Sequence, residues 1–351
     1  MSSYIIRRIF YGILVIIAVV CTIASIIYLS PVDPARLSFG QLSDAGTVES
    51  KRRELGLDKP LSIQLLYYLR DLSPIQLIDK NSSLLTKYKY VSLYPGTKKT
   101  LILKWPNLRE SYQSGRPVAD ILADAIPITL ILAITSMIFA SLFGIFLGIL
   151  AAVRRGTWVE SSALVLSTIG YSLPSYAAGI FIAILFAYIL HGFTGLNLTG
   201  SIIELNDEGE KILVLKNLIL PAIALGLRPV SIITQLTRAA MLDNFSMPYV
   251  RTAFAKGLSM QKITYGHVFK NALNPIITGI SGWFASLISG AYFVENVFNF
   301  RGLGSVTVQA LLNFDIPVVL GTVLFTCIMF VIINVVVDIL YAITNPKVRL
   351  A

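Results

Sequence analysis

Side chains suited to metal binding or catalysis are scarce in this sequence. It has two cysteines and two histidines in 351 residues. Cys21 and Cys327 both lie inside apolar runs, so neither a disulfide framework nor a thiolate metal site is indicated. Two histidines without clustered ligands argue against a transition-metal centre, and no metal ligand is assigned. There is no G-x-x-x-x-G-K-[ST] phosphate loop or other nucleotide-binding fingerprint, so the chain is not expected to hydrolyse ATP. No Ser/His/Asp or paired-carboxylate arrangement stands out, and no catalytic residue is assigned. Charge is sparse as well: 14% of residues are charged and 55% are apolar. A soluble globular domain does not need that much apolar sequence, so the class is polytopic membrane protein. The net charge of +10 would suit nucleic acid. Part of it flanks apolar segments, however, as a topology signal does, and no nucleic-acid partner is expected.

The apolar sequence falls into six stretches. Ile9 to Leu29 is about 21 residues, enough for one ~30 Å crossing. It exceeds the ~7–15 residue core of a signal peptide, and Val20 precedes Cys21 where a lipoprotein signal requires a small residue. It therefore reads as an uncleaved first span with Arg7 and Arg8 inside. Ile126 to Val153 is the second span. Its Gly144 and Gly148 either permit close helix approach or face lipid incidentally. Val159 to Leu190 is too long for one straight crossing and contains Ser172-Leu173-Pro174-Ser175-Tyr176. Proline splits or bends a helix there, and freed backbone groups are tolerated where side chains, neighbouring helices or water satisfy them. Ser172, Pro174 and Ser175 are thus candidates for a translocation path. Asn217 to Leu236 is the fourth span. Arg228 lies about twelve residues from Lys216, roughly 18 Å deep at 1.5 Å per residue. It either serves the path or packs against carbonyls and bends the helix with Pro229. Ile276 to Val294 and Pro317 to Tyr341 are the fifth and sixth spans. Asn334 and Asp338 share one face of the last, and Asn334 joins the candidate path.

Between these stretches the chain is polar. Residues 31–118 form a long segment with two helical pieces around 48–72, broken at Gly56 to Pro60. Alternation at Thr100 to Lys104 predicts short strands. Asn206 to Gly209 is a turn signal with a possible small hairpin around it. Glu295 and Arg301 read as a solvated pair near the outer surface. Arg7, Arg8, Arg154, Arg155, Arg238, Arg251, Lys256, Lys262, Lys270, Lys347 and Arg349 flank the spans on one side, against Lys211, Lys216 and Arg301 in the short loops of the other. That asymmetry puts both termini in the cytoplasm.

The segment Tyr249 to Pro275 is basic and polar between two spans. Ser246 is placed to cap a short amphipathic helix with Pro248 in its first turn. Tyr249, Val250, Ala253 and Phe254 share one face. Gly257 suits the C′ position, and Ser259 can cap a second helix. Such an elbow suits docking of a soluble partner. Arg251-Thr252-Ala253, Gly257 four residues later and Lys270-Asn271-Ala272-Leu273-Asn274-Pro275 together resemble the EAA loop of ABC importer permeases, in the form used by dipeptide, oligopeptide and nickel permeases. Leu55 to Leu61, Ser114 to Val118, Leu220-Pro221-Ala222 and Gly290 to Gly304 are similar to the same family. Residues 73–104 have no recognised counterpart.

The resemblance implies an all-α polytopic membrane protein with six transmembrane helices and a long extracytoplasmic insertion after the first. The boundaries expected are 1–30 for the head and first span, 31–118 for the extracytoplasmic region and 119–351 for a five-helix core, with a coupling loop at about 239–270. It implies a permease subunit in the bacterial cytoplasmic membrane, in contact with lipid. Its partners would be a homologous second permease, two ATPase subunits carrying ATP and Mg, and an extracytoplasmic substrate-binding protein, for which residues 73–104 are a candidate docking surface. Tyr249, Val250, Arg251, Thr252, Ala253, Phe254, Lys256, Gly257 and Leu258 would couple to the ATPases, with Val250, Ala253, Phe254 and Leu258 as the docking face. Alternating access would carry di- or oligopeptides, with nickel chelates and glutathione as alternatives. The rival from another class is a self-contained channel or secondary transporter.

Overall fold

The computed structural model describes residues 2–28, 45–54, 56–79, 90–95 and 99–344. In chain order it runs α1 (Ser2–Tyr28), α2 (Ala45–Glu54), α3 (Leu61–Leu72), β1 (Ile75–Asp79), β2 (Tyr90–Pro95) and β3 (Lys99–Lys104). Then come α4 (Val118–Val153), α5 (Trp158–Ser172), α6 (Ser175–Ile182, continued by a π-helical turn over Ala183–Ile189) and the single turn α7 (His191–Thr194). A hairpin of β4 (Ile203–Leu205) and β5 (Lys211–Leu213) precedes α8 (Lys216–Phe245) and α9 (Pro248–Ala255). The chain closes with α10 (Met260–Ile263, then a π-helical turn over Thr264–Val268), α11 (Phe269–Val297), α12 (Leu303–Leu312) and α13 (Ile316–Thr344). Among the described residues four helices are long and apolar enough to cross a membrane singly, or up to six crossings if each of two bent helix pairs counts as one. The basic tail at 345–349 and parts of the 73–104 insertion lie outside the described residues.

The chain divides into two compact units. The larger comprises Met1–Gly12, Ala125–Ser305 and Thr326–Ala351. Its spine is α8, the most buried of the long helices. Small residues let neighbours reach its backbone. A methyl group built on Gly144 would lie 2.7 Å from Ile233 Cβ, and one on Gly148 would lie 2.7 Å from the Thr234 carbonyl oxygen. Gly226 in turn lies against Ser136 and Phe139. Residue numbers rise together along both helices, so α4 and α8 run parallel. The Gly144/Gly148 pair is therefore a helix-packing device. By contrast α5 runs antiparallel to α8, with Glu160 beside Arg238 and Gly170 on Leu227. α11 is antiparallel as well, with Gly279 on Leu236 and Gly290 on Leu225. The chain therefore re-enters α8 in the direction of α4, as one crossing by the α5–α6 pair requires.

The same unit holds the start of α1 beside the end of α13. Arg8 Nη2 lies 2.9 Å from Asp338 Oδ2, and Gly12 gives room to Val331. At the opposite end, Asn217 ties down the 195–215 loop. Its amide nitrogen donates to the Ser201 carbonyl and to Glu204, both at 2.9 Å. The hairpin turn there is closed by Asn206 Oδ1, which accepts from the backbone of Glu208 and Glu210.

The second unit comprises Ile13–Asp124 and Val306–Phe325. Val20, Ala24, Tyr68, Ile316 and Leu320 form its apolar core. The strands expected near Thr100 form an antiparallel sheet of order β1-β3-β2. The break expected at Gly56 separates α2 from α3, with Gly56 at φ 70°. Asp71 gathers the surroundings: Arg109 Nε and Nη2 both reach its Oδ2 at 2.8 Å, and its carbonyl accepts from Lys104 Nζ at 3.0 Å. Lys104 is buried, and burial pushes its ammonium below the ordinary lysine value against the opposing pull of Asp71.

Candidate functional site

The elbow after α8 is built from local backbone rules. Met247 stands at the N-cap of α9 without a side-chain bond, and Pro248 occupies N1, where its missing N–H costs nothing. The cap expected from Ser246 does not form, because that hydroxyl donates back to the Asp243 carbonyl at 2.7 Å and finishes α8 instead. At the other end Gly257 has φ 74°. Its N–H donates to Phe254, and Leu258 N–H donates to Ala253 at 3.3 Å, which makes a Schellman stop with glycine at C′. A Cβ on Gly257 would meet nothing within 4 Å, so the demand there is purely conformational. Ser259 Oγ then accepts from Lys262 N–H and caps α10.

Packing decides which face of α9 is available. Val250 and Ala253 are buried in a core with Met241, Ile263, Val268 and Ala272. Tyr249 and Leu258 pack against that core, and Tyr249 Oη donates to Asn244 at 3.0 Å. The docking face expected from Val250, Ala253, Phe254 and Leu258 is corrected in part: Val250 and Ala253 are used inside the chain and Leu258 packs against them, while Phe254 stays exposed. Arg251, Thr252, Ala255, Lys256 and Gly257 are exposed, and so is Phe254 at 50%. Met247 and Met260 are exposed beside them.

A polar clasp that sequence reasoning missed sits seven residues before the end of α8. Glu160 Oε1 accepts from Arg238 Nε at 2.6 Å and is also reached by Arg238 Nη2. Its Oε2 accepts from the Gly156 N–H at 2.6 Å. This fixes the Arg154-Arg155-Gly156 turn to the helix that leads into the elbow.

At mid-span the α5–α6 pair bends by 108°. Leu173 is extended and Pro174 starts the new helix. Ser172 Oγ donates to the Thr168 carbonyl at 3.1 Å. Ser172 and Pro174 are exposed, and Ser175 is half-buried. Arg228 is exposed too, and α8 continues through Pro229 without a break. Arg228 Cζ lies 5.6 Å from the centre of the Tyr171 ring. The structure thus brings Arg228 to the helix break. Asn334 stands apart on α13, its amide donated to the Phe330 carbonyl of its own helix.

Glu295 is not a solvated partner of Arg301. It is fully buried at the end of α11. Its Oε1 accepts from Thr129 Oγ1 at 2.6 Å, and its Oε2 accepts from the N–H groups of Gly304 and Ser305 at 2.7 and 3.1 Å. Thr129 Oγ1 also accepts from Leu303 N–H at 2.8 Å. The carboxylate therefore caps α12, where free N–H groups and the helix dipole favour an anion. Arg301 is left exposed. Gly302 and Gly304 lie so close to the carboxylate that a side chain on either would displace it. Among the described residues no group of His, Cys, Asp and Glu is disposed to hold a metal.

The model of the family described as "Binding-protein-dependent transport system inner membrane component" matches residues 144–350, and the model of its N-terminal region matches residues 1–133. A putative peptide transport system permease protein of Brucella abortus is 34% identical over 350 residues, 99% of each chain. The glutathione transport system permease protein GsiC of Salmonella choleraesuis is 32% identical over 349 residues, again 99% of each. Among solved structures, a chain of the MetNI methionine ABC transporter in an inward-facing conformation aligns with a TM-score of 0.51 and 15% identity. The alignment covers 65% of this chain and 97% of that one, and it speaks for the fold alone.

Proposed function

The chain belongs to the binding-protein-dependent transport inner-membrane component family, the permease subunits of ABC importers, and from that premise we propose that it carries short peptides by alternating access driven from the elbow. The observation that carries the mechanism is the division of labour in α9. Val250 and Ala253 lock the helix into the chain's own core, so a push on it is transmitted to α8 and α11. Phe254, Arg251 and Lys256 face outward, an aromatic anchor flanked by cations that suits a groove with an acidic rim. Two ATPase subunits would supply that groove together with ATP and Mg. A second, homologous permease would complete the path, and an extracytoplasmic binding protein would deliver cargo.

The packing directions support the topology. Parallel α4 and α8, with α5 and α11 antiparallel, are consistent with alternate crossings and with an elbow on the same side as the Arg154–Gly156 turn. The Arg8–Asp338 pair holds the first and last helix ends at one level, as six crossings with both termini in the cytoplasm require. The pair also supplies Asp338 with a partner, which weakens the reading of a self-contained transporter driven by intramembrane charges. Peptide and glutathione names among relatives of similar identity favour short, carboxylate-bearing cargo over nickel chelates.

The test is co-purification in mild detergent with an ATPase assay on the complex. Phe254→Asp and the charge reversal Arg251→Glu/Lys256→Glu should release the ATPase subunits while the permease still inserts. Retention of coupled ATPase by both variants, or solute movement without ATP by the isolated chain, would refute the proposal.

A further inference from the structure

Arg228 lacks what three other arginines of the chain have. Arg8, Arg109 and Arg238 each meet a carboxylate, in Asp338, Asp71 and Glu160. Arg228 meets an aromatic ring, and among the described residues no carboxylate pairs with it. Its position makes this unusual. Lys216 lies twelve residues before it and Arg238 ten after, roughly 18 and 15 Å along the helix, so it stands near the middle of a ~30 Å hydrocarbon layer. A guanidinium at that depth is not left against lipid; it faces a water-filled cavity or a partner charge.

The surroundings indicate which. The Arg228 Cζ lies over the Tyr171 ring, 5.6 Å from its centre, a cation–π approach that still leaves the guanidinium N–H groups able to donate. The break at Leu173-Pro174 opens the helix beside it. Beyond the break, Tyr176 and Phe293 are 48% and 60% exposed with ring centres 6.1 Å apart. One exposed cation on an aromatic ring at a helix break, with further exposed aromatic side chains beyond that break, suits a small monoanion with apolar bulk. A dianionic phosphate would call for more than one cation.

We propose that Arg228, beside Tyr171 at the helix break, is the point at which the carboxylate of a peptide or peptide-like cargo is recognised at the middle of the membrane. This rests on the importer reading and specifies its path. It makes Arg228 a specificity residue separate from capture by the binding protein.

The experiment uses the assembled importer in proteoliposomes with its binding protein, ATP inside, and two probes, trialanine and glutathione. Arg228→Met removes the charge and keeps an apolar side chain that a membrane tolerates; Arg228→Lys keeps the charge. Arg228→Met should lower uptake of the transported probe by about tenfold or more, the worth of one charged hydrogen-bonded contact, with the second permease and ATPases still co-purifying. Arg228→Lys should recover part of that loss. Equal uptake by wild type and Arg228→Met overturns the proposal. Loss of the second permease from Arg228→Met overturns it too, since Arg228 would then be an inter-subunit ion pair. A wild type that moves neither probe with ATP removes the short-peptide reading on which the proposal rests, and with it the proposal, which is distinct from a defect confined to the variant.

Discussion

Substituting Glu295 gives the sharpest test of the packing argument. Its carboxylate accepts from two buried backbone N–H groups and one buried hydroxyl. Glu295→Ala strands the N–H groups of Gly304 and Ser305, each an unpaired buried donor worth about 1–3 kcal/mol. The Thr129 hydroxyl can turn to another acceptor on its own helix and adds less. The expected loss is about 3–5 kcal/mol, with α12 released from the end of α11. Glu295→Gln behaves differently. Its amide oxygen can take over the two N–H groups and its NH₂ can donate to Thr129, so only the charge-assisted part is lost, about 1–2 kcal/mol. Melting of the detergent-purified protein, followed by monodispersity on size exclusion, should rank wild type above Glu295→Gln and Glu295→Gln well above Glu295→Ala. If glutamine is as damaging as alanine, or if alanine melts with wild type, the cap is not what holds α12 and the reasoning fails.

Other substitutions probe separate links. At Gly257, where φ is 74° and the space around a Cβ is open, Asn should preserve coupled ATPase. Ala should cost about 1–2 kcal/mol and Val more, because only the left-handed backbone is at stake; equal behaviour of Asn and Val would contradict this. Gly148→Ala should separate α4 from α8 and destabilise by about 1–3 kcal/mol, since its methyl meets the Thr234 carbonyl at 2.7 Å; a crosslink between the two helices reports the gap. Glu160→Gln should weaken the clasp with Arg238 and Gly156 and free the Arg154–Gly156 turn to proteolysis. Lys104 titrates lower in the folded chain than in the unfolded one, so the unfolded state binds the extra proton and stability of the second unit, 13–124 with 306–325, should rise with pH up to the ordinary lysine range. Lys104→Met should flatten that rise in a pH-melting series.

Spans, the break at Pro174, the strand at Thr100 and the Gly257 stop were legible because each depends on local rules of periodicity, proline geometry or positive φ. Glu295 and Arg238 were misread or missed because their partners, Thr129 and Glu160, lie far away in sequence and are brought near only by helix packing. The stripe of Val250, Ala253 and Leu258 shows a third limit. Periodicity reveals that a helix has an apolar face, but the same pattern serves a core or an interface, and here Met241 and Ile263 had already claimed it. Arg228 was conspicuous by depth alone, and its approach to the Tyr171 ring depended on where the broken helix bends.

The clasp between Arg8 and Asp338 carries a consequence for biogenesis. A chain emerging from the ribosome makes α1 first and α13 last, so the first helix waits through the whole of synthesis for the residues that seat its opening turns. Until then the contact of Arg8 with Asp338 cannot form and the notch at Gly12 has no Val331 to fill it. Order in the finished protein is therefore sealed at its oldest end by its youngest helix. A nascent chain stopped before the last span would present a loose first helix for quality-control proteases to extract.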